Sequence, residues 1–403
     1  MGSSPVVLGF DFGGTKIATA VCDLTGNQLA SATVSTDAGA GSARTAGGSA
    51  GTSGGSARTA GGSAGTSGGS AGTSAVAPQR PGERGAHAIF DRGIRAARDL
   101  LAAAAPDDEL AAVGAATFGI PFEDRVELAP AIDGWESLAL GRELRAAFDG
   151  AEIRMATDAK AAATAEARWG SLQGCDPGVY LNLGTGLAAA IVTGGQVVTG
   201  ANGAAGEIGY NLRAVADVGL SLNQRVHLED MVSGQGLARR AAGNDAARPM
   251  TAADVFEAGP GNPELDELLT SFVTELAFHL VNLTICINPV RISVGGGMVR
   301  SWERIRPQLE QALSAGVPYP PELVVAQFAY DAPLLGAVAL AVDAAQGRGE
   351  PDRAAQDTVP ARASPVAGDA ARDAAGTPDA GGAAVHISKD TKYQSTMIQD
   401  TRV

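Results

Sequence analysis

Residues 6–10 form an unbroken apolar run of strand length, and residues 17–22 form a second. Gly13 and Gly14 supply the turn between them, so the pair reads as a β-hairpin. Thr25-Gly26-Asn27 turns the chain again before the stretch 29–34, which predicts three consecutive antiparallel strands. From 86 to 105 the apolar residues Ile89, Phe90, Ile94, Leu100 and Leu101 recur with helical spacing. Residues 110–116 return to a strand pattern, and Phe118-Gly119-Ile120-Pro121 interrupts it. That break is the expected boundary between an N-terminal lobe (1–120) and a C-terminal lobe (121–333).

In the second lobe the pattern predicts a helix over 138–148, a short strand over 152–156 and an alanine-rich helix over 159–169. Residues 179–183 and 187–192 make another hairpin around Gly184-Thr185-Gly186. Helices follow through 230–282, then a strand over 290–294 that runs into Gly295-Gly296-Gly297, then a helix over 300–315. A last helix, 334–346, is expected to return to the first lobe.

Two segments fit none of these periods. Residues 37–82 have no bulky apolar pattern, and the 14-letter string of 41–54 is repeated unchanged at 55–68. Such a stretch cannot offset its ordering entropy, so a disordered insert is expected. The tail 347–403, rich in Ala, Asp, Pro and Gly, carries the same expectation.

With 403 residues there is room for two domains of roughly 100–200 residues each. A net charge of −14 argues against a nucleic-acid or anionic-membrane surface, which needs clustered Lys and Arg. Cys22, Cys175 and Cys286 are too scattered for a disulfide framework or a cysteine zinc site. No secretory leader and no run of ~18 apolar residues is found, so no membrane span is expected. A cytoplasmic protein is the expectation.

Chemistry enters at the glycines. Backbone N–H groups bind phosphate where small residues let the chain approach closely. Gly13-Gly14-Thr15 offers this at a hairpin, flanked by Asp11 and Lys16. Asp11 could hold Mg²⁺ through water, as carboxylates beside polyphosphates do. One such turn could equally be an ordinary hairpin. Gly184-Thr185-Gly186 repeats the design in the other half, which suggests two lobes gripping one polyphosphate. Gly295, Gly296 and Gly297 end a strand, where a flat nucleoside could lie against backbone; a plain strand-to-helix turn is the alternative.

Together these segments resemble the actin–hexokinase–Hsp70 superfamily and, within it, the ROK group of glucokinase-like sugar kinases. The resemblance rests on DFGGTK at 11–16, GW at 134–135, TDAK at 157–160, LGTG at 183–186, GEIGY at 206–210, ISVGGG at 292–297 and LLGA at 334–337. It implies an α/β fold of two ribonuclease-H-like lobes with a nucleotide and substrate cleft between them. It also implies ATP and Mg²⁺ as cofactors, and Asp158 as the base that takes the acceptor hydroxyl's proton. Asp158 could instead cap the helix that follows it. Glu207 resembles a glutamate that binds sugar hydroxyls. Glu229 resembles a second one, and reads equally well as an exposed helix carboxylate. Thr157 and Tyr210 complete the expected acceptor set, and a homodimer is left open.

The acceptor side departs from the family pattern. Typical members read GEIGH followed by CxCGxxGCxE, whose His and three Cys bind structural zinc. Here those positions are Tyr210, Leu220, Leu222 and His227, which cannot supply the four N or S ligands. No zinc is expected. Thr157 replaces the usual Asn, and Lys160 stands where a second Asn is common. Losing groups that read a hydroxyl redirects specificity. The expected function is phosphorylation of the primary hydroxyl of a hexose-like acceptor, with a seven-carbon cyclitol of the valienone or valiolone type as one candidate. An ordinary glucokinase or N-acetylhexosamine kinase is the alternative, and a non-catalytic sugar-binding regulator is the rival from another class. ROK-type repressors carry a helix-turn-helix ahead of the first hairpin, and a hairpin beginning by Val6 leaves no room for one. A nucleotide-dependent dehydrogenase is disfavoured, because no GxGxxG opens a helix after the first strand.

Overall fold

In the computed structural model, which describes residues 4–36, 85–243, 250–259 and 261–348 and the backbone of 44–47, the opening apolar runs become β1 (Pro5–Phe12) and β2 (Lys16–Asp23). β3 (Gln28–Ser35) continues the antiparallel meander, and β4 (Arg44–Gly47) adds to its outer edge. α1 (Ala86–Ala104) then crosses over to β5 (Glu109–Thr117), which pairs parallel to β1. Nearly every residue of β1 is buried, as expected of a strand covered on both faces. α1 buries Ile89, Phe90, Ile94, Ala97 and Leu100 against one of those faces, together with Phe10, Phe12 and Ile17.

The first lobe runs further than the sequence break predicts. Gly119, at φ 78°, turns the chain into a small hairpin of β6 (Ile120–Pro121) and β7 (Val126–Glu127). The chain then returns through α2 (Leu140–Ala147) to β8 (Glu152–Thr157), which pairs parallel to β5. The resulting strand order is β4-β3-β2-β1-β5-β8. The boundary expected at residue 120 therefore moves to the end of β8, because a turn signal marks a change of direction and not a change of sheet.

α3 (Asp158–Trp169) leads into the second lobe. There β9 (Gly178–Leu183), β10 (Leu187–Thr193) and β11 (Gln196–Val197) form an antiparallel meander. The helices α4 (Leu228–Met231), α5 (Gly234–Ala242), α6 (Ala252–Ala258) and α7 (Pro263–Ile287) follow. β12 (Arg291–Gly295), α8 (Trp302–Gly316) and β13 (Glu322–Val325) close a sheet ordered β11-β10-β9-β12-β13. β12 is parallel to both β9 and β13. Setting aside the extra edge strand β4, the two sheets share one topology: a three-strand meander whose first strand pairs parallel to the fourth, and the fourth to the fifth.

α9 (Ala332–Ala345) packs on the first sheet, with Val338, Ala341 and Val342 against Val7, Ala20, Cys22 and Ala112. It also crosses α3 closely. A Cβ on Gly336 would lie 1.8 Å from Ala161 O, and one on Gly114 would lie 1.8 Å from Ala337 O, so both positions require glycine.

By length and composition α7 could cross a membrane, with a mean hydropathy of 1.5, contrary to the expectation from the sequence. In the fold Leu265, Phe272, Val273, Leu276 and Leu280 of this helix enter the second-lobe core beside Leu181, Val294 and Ile305. Packing accounts for those residues, while Phe278 and Ile285 of the same helix stay exposed. The disordered insert expected over 37–82 lies outside the described residues except for β4, which is a strand where an unstructured loop was expected. From residue 349 onward the expected tail also lies outside them.

Candidate active site

The β1–β2 turn closes with Gly13 N donating to Lys16 O at 3.0 Å, which leaves Gly14, Thr15 and Lys16 at an exposed tip. Thr36 braces this tip: its N–H donates to Thr15 O at 3.0 Å and its hydroxyl to Gly14 O at 2.9 Å. Arg92 of α1 donates in turn to Thr36 O at 2.5 Å. The glycine tip is thus short, exposed and held from behind, as a phosphate-binding turn must be.

The β9–β10 turn is built alike. Gly184 N donates to Gly186 O at 3.1 Å, and Thr185 is exposed. Its support comes from the start of α5, where Gly234 N and Gln235 N donate to Gly184 O and Thr185 O at 2.8 and 3.2 Å. The third glycine element lies beside it: a Cβ on Gly184 would be 3.6 Å from Gly296 Cα and 3.7 Å from Gly297 N. Gly296 has φ 89°, and a Cβ there would overlap Leu183 O at 2.6 Å; one on Gly295 would overlap Tyr180 Oη at 2.1 Å. The structure therefore brings Gly184 and the Gly295–Gly297 strand end side by side, packed closely enough that Gly295 and Gly296 have no room for a side chain.

The carboxylates converge at the start of α3. Thr157 is the N-cap, its hydroxyl accepting from Lys160 N at 3.4 Å. Asp158 is the first helical residue and accepts from Ala159 N at 2.7 Å. Capping thus falls to Thr157, and Asp158 is not committed to it. Thr157 is 4 % exposed, with its hydroxyl accepting from the cap.

Burial pushes the Asp158 carboxyl up from 3.8 to about 6, with Glu207 and Glu229 adding to the rise; the Ala159 N–H and Lys160 oppose it. Asp11, at the end of β1, is pushed up to about 7 by burial and then by Asp158. Lys16 draws it down, and Asp331, a neighbour that sequence reading did not anticipate, raises it further. Asp11 and Asp158 are thus neighbouring carboxyls with little opposing charge around them.

Glu207 follows Gly206, whose φ of 83° and approach to Ala189 O exclude a side chain. Its Oε1 pairs with Lys160 Nζ at 3.2 Å. Glu229 is open to solvent on one side, yet its Oε2 accepts from Leu187 N at 2.9 Å and would meet a Cβ on Gly186 at 2.5 Å. It therefore ties the second glycine turn to the carboxylate group, a link with no local signal in sequence. Tyr210 keeps a neutral phenol, pushed up to about 12 by burial and then by Glu229 and Glu207.

The four positions where zinc ligands would stand do not fit that metal. The Tyr210 and His227 rings pack edge to face at 5.1 Å, and His227 Nε2 lies 2.8 Å from Leu222 O. Leu220 is 44 % exposed and carries no ligand atom. Arg225 ties this loop by donating to Tyr210 O at 2.6 Å and Asn211 O at 3.0 Å. Among the described residues no group of three or more His, Cys, Asp or Glu side chains could hold a metal ion.

A sequence profile described as the ROK family matches residues 80–344. The chain belongs to the ROK family. The match begins after the β1–β2 hairpin, so the phosphate reading of that hairpin rests on the repeated topology. The chain is similar to the bifunctional enzyme NanE/NanK of Brucella melitensis, at 33 % identity over 204 residues, covering 50 % of this chain and 37 % of that protein. It is similar to a glucokinase of Halalkalibacterium halodurans, at 30 % identity over 177 residues, covering 39 % and 52 %. The chain thus spans between about a third and about half of the length of these two relatives. Among solved structures it resembles a ROK glucokinase from Streptomyces griseus in complex with glucose and AMPPNP, with TM-score 0.57, 24 % identity and coverage of 83 % and 98 %. That likeness agrees with the two-lobed actin–hexokinase fold of this ROK chain.

Proposed function

We propose that this chain is an ATP-dependent kinase that phosphorylates the primary hydroxyl of a hexose-like acceptor. The observation that carries the reading is the position of Asp158: a half-buried carboxyl at the start of α3, in electrostatic contact with Asp11 on the first glycine hairpin and with Glu207 and Glu229. The backbone of Gly13–Thr15 and Gly184–Gly186 would hold the phosphates, with the nucleoside against Gly295–Gly297. Mg²⁺, held by Asp11 through water, would neutralise phosphate charge. Phosphoryl transfer asks the protein mainly for positioning and for a base that takes the acceptor's proton. Asp158 would take it, Glu207 and Glu229 would fix the ring by its other hydroxyls, and Tyr210 would present a phenol donor to the ring. A relative named as a glucokinase supports a sugar as the acceptor class.

Within that class a seven-carbon cyclitol is the acceptor we favour. Tyr210 occupies the position whose family histidine touches the sugar near its anomeric carbon, and a cyclitol has no anomeric centre to read. The test is ADP release over a panel of glucose, N-acetylhexosamines and valienone-type cyclitols, with wild type and Asp158→Asn. Turnover lost in the variant is expected. A clear preference for glucose would overturn the cyclitol while leaving the kinase. Binding of a sugar without ADP release from any acceptor would overturn the kinase in favour of a sugar-binding regulator.

A further inference from the structure

The acceptor side contains one cation that phosphoryl transfer as described does not use. Lys160 stands two residues after Asp158 on α3, its side chain is 5 % exposed, and its Nζ donates to Glu207 Oε1 at 3.2 Å. A buried ammonium is costly unless it is paired, and a lysine has three N–H donors. The contact to Glu207 accounts for one of them. Lys160 also sits near enough to Asp158 to favour its ionised form.

The surrounding charges give this placement a consequence. Asp158, Glu207 and Glu229 are all acidic, so a ring carrying an ammonium group would find counter-ions there. Glu207 would be the readiest of these, because Asp158 is placed to take the acceptor's proton and Glu229 already accepts from Leu187 N. Lys160 occupies Glu207 in advance. The pair then presents a carboxylate oxygen as acceptor and ammonium N–H groups as donors side by side, which matches a hydroxyl or carbonyl oxygen and repels a second ammonium. Specificity built this way combines an attraction with a repulsion.

We propose that Lys160 is a specificity-determining residue that selects neutral, oxygen-bearing ring acceptors and disfavours amino-sugars whose ammonium would take its place beside Glu207. The inference rests on the kinase reading above but has its own test. The neutral acceptor with the highest kcat/KM in the panel is compared with analogues of that ring in which one secondary hydroxyl is replaced by an amine. The enzymes are wild type, Lys160→Gln, Lys160→Met and the double variant Lys160→Gln/Glu207→Gln. Gln keeps a donor for Glu207, and the double variant leaves no buried charge unpaired, so at least one variant should retain the fold; thermal melting checks this. In both single variants the amino-to-hydroxyl ratio of kcat/KM is expected to rise about tenfold for at least one analogue. In the double variant it should fall back towards wild type, because the counter-ion is gone. A ratio within threefold of wild type for every analogue overturns the proposal. So does an equal loss for all acceptors, which would make Lys160 only a brace. If no acceptor is turned over, the kinase reading fails, and ligand-induced thermal shifts with the same compounds still test Lys160: an unchanged amino-to-hydroxyl preference in the single variants overturns it.

Discussion

Replacing Asp158 by Asn should abolish catalysis and stabilise the protein. The Asp158 carboxyl lies at about 6 against an ordinary 3.8, with desolvation as the first cause. The folded state therefore binds more protons than the unfolded one between about pH 4 and pH 6, and stability contributed by this group is lost as pH rises through that window. Above it, the ionised carboxylate costs up to about 3 kcal/mol, at ~1.4 kcal/mol per tenfold change in proton affinity. Because the side chain keeps partial exposure and some attraction to Lys160, about 1–3 kcal/mol is the working range. Asn removes the charge and keeps an Oδ1 to accept from Ala159 N, so the helix start is preserved. In the absence of nucleotide and acceptor, Asp158→Asn should raise Tm at pH 7.5 by ~2–6 °C for a chain of this size. The gain should shrink as pH falls towards 5, while turnover drops at least ~100-fold. Thermal melting at both pH values and ADP release on the same samples read this out. An unchanged or lowered Tm at pH 7.5 with a normally folded variant would refute the enclosed-carboxylate argument; retained turnover would remove Asp158 as the base.

Three further outcomes follow from the same geometry. The acid limb of kcat/KM should fall as pH drops through about 6, and Lys160→Met should move it to higher pH, since Lys160 holds the Asp158 carboxyl down; a pH–rate profile of each enzyme checks the sign. Glu166 is fully buried and accepts from Ser171 N, Ser171 Oγ, Gln327 N and Phe328 N, at 2.7, 2.7, 3.2 and 2.8 Å. Glu166→Gln turns one acceptor oxygen into a donor facing these donors and should cost about 2–4 kcal/mol in urea unfolding. Gly336→Ala puts a methyl against Ala161 O and must push α9 away from α3. We expect a loss of about 1–3 kcal/mol and a fall in kcat, because α3 carries Asp158.

Local pattern made the two hairpins, the glycine strand end and the helix start at TDAK legible. Gly13–Gly14, Gly184–Gly186 and Gly295–Gly297 announce themselves as glycine clusters at strand ends, and at Gly186, Gly295 and Gly296 an added Cβ would overlap a neighbour. The adjacency of Gly184 to Gly296 was not legible, because it depends on β9 pairing with β12 across more than a hundred residues. The lobe boundary failed for the same reason: β8 joins β5 through long-range ladder bonds that Phe118-Gly119-Ile120-Pro121 does not reveal. Glu166 reads in sequence as one more polar residue of an alanine-rich helix. Only the fold delivers the Gln327 and Phe328 amides to it and makes it a tie between α3 and the entry to α9.

The same contrast separates the two ends of the site. Phosphate binding, in the reading proposed, would be a backbone property carried by small residues at a turn, and the duplicated meander supplies two such turns. Acceptor recognition, in the reading proposed, is a side-chain property that would arise where distant segments meet: Lys160 from α3, Glu207 after a left-handed glycine, Glu229 pinned by Leu187, Tyr210 against His227. Each of these groups sets the charge felt by the others, so one substitution among them alters the reading of the rest. Arg225 braces this group from the backbone side, donating to the Tyr210 and Asn211 carbonyls. On that reading, specificity would change by exchanging charges at Lys160 and Glu207, while the two glycine turns and the strands that carry them stay as they are.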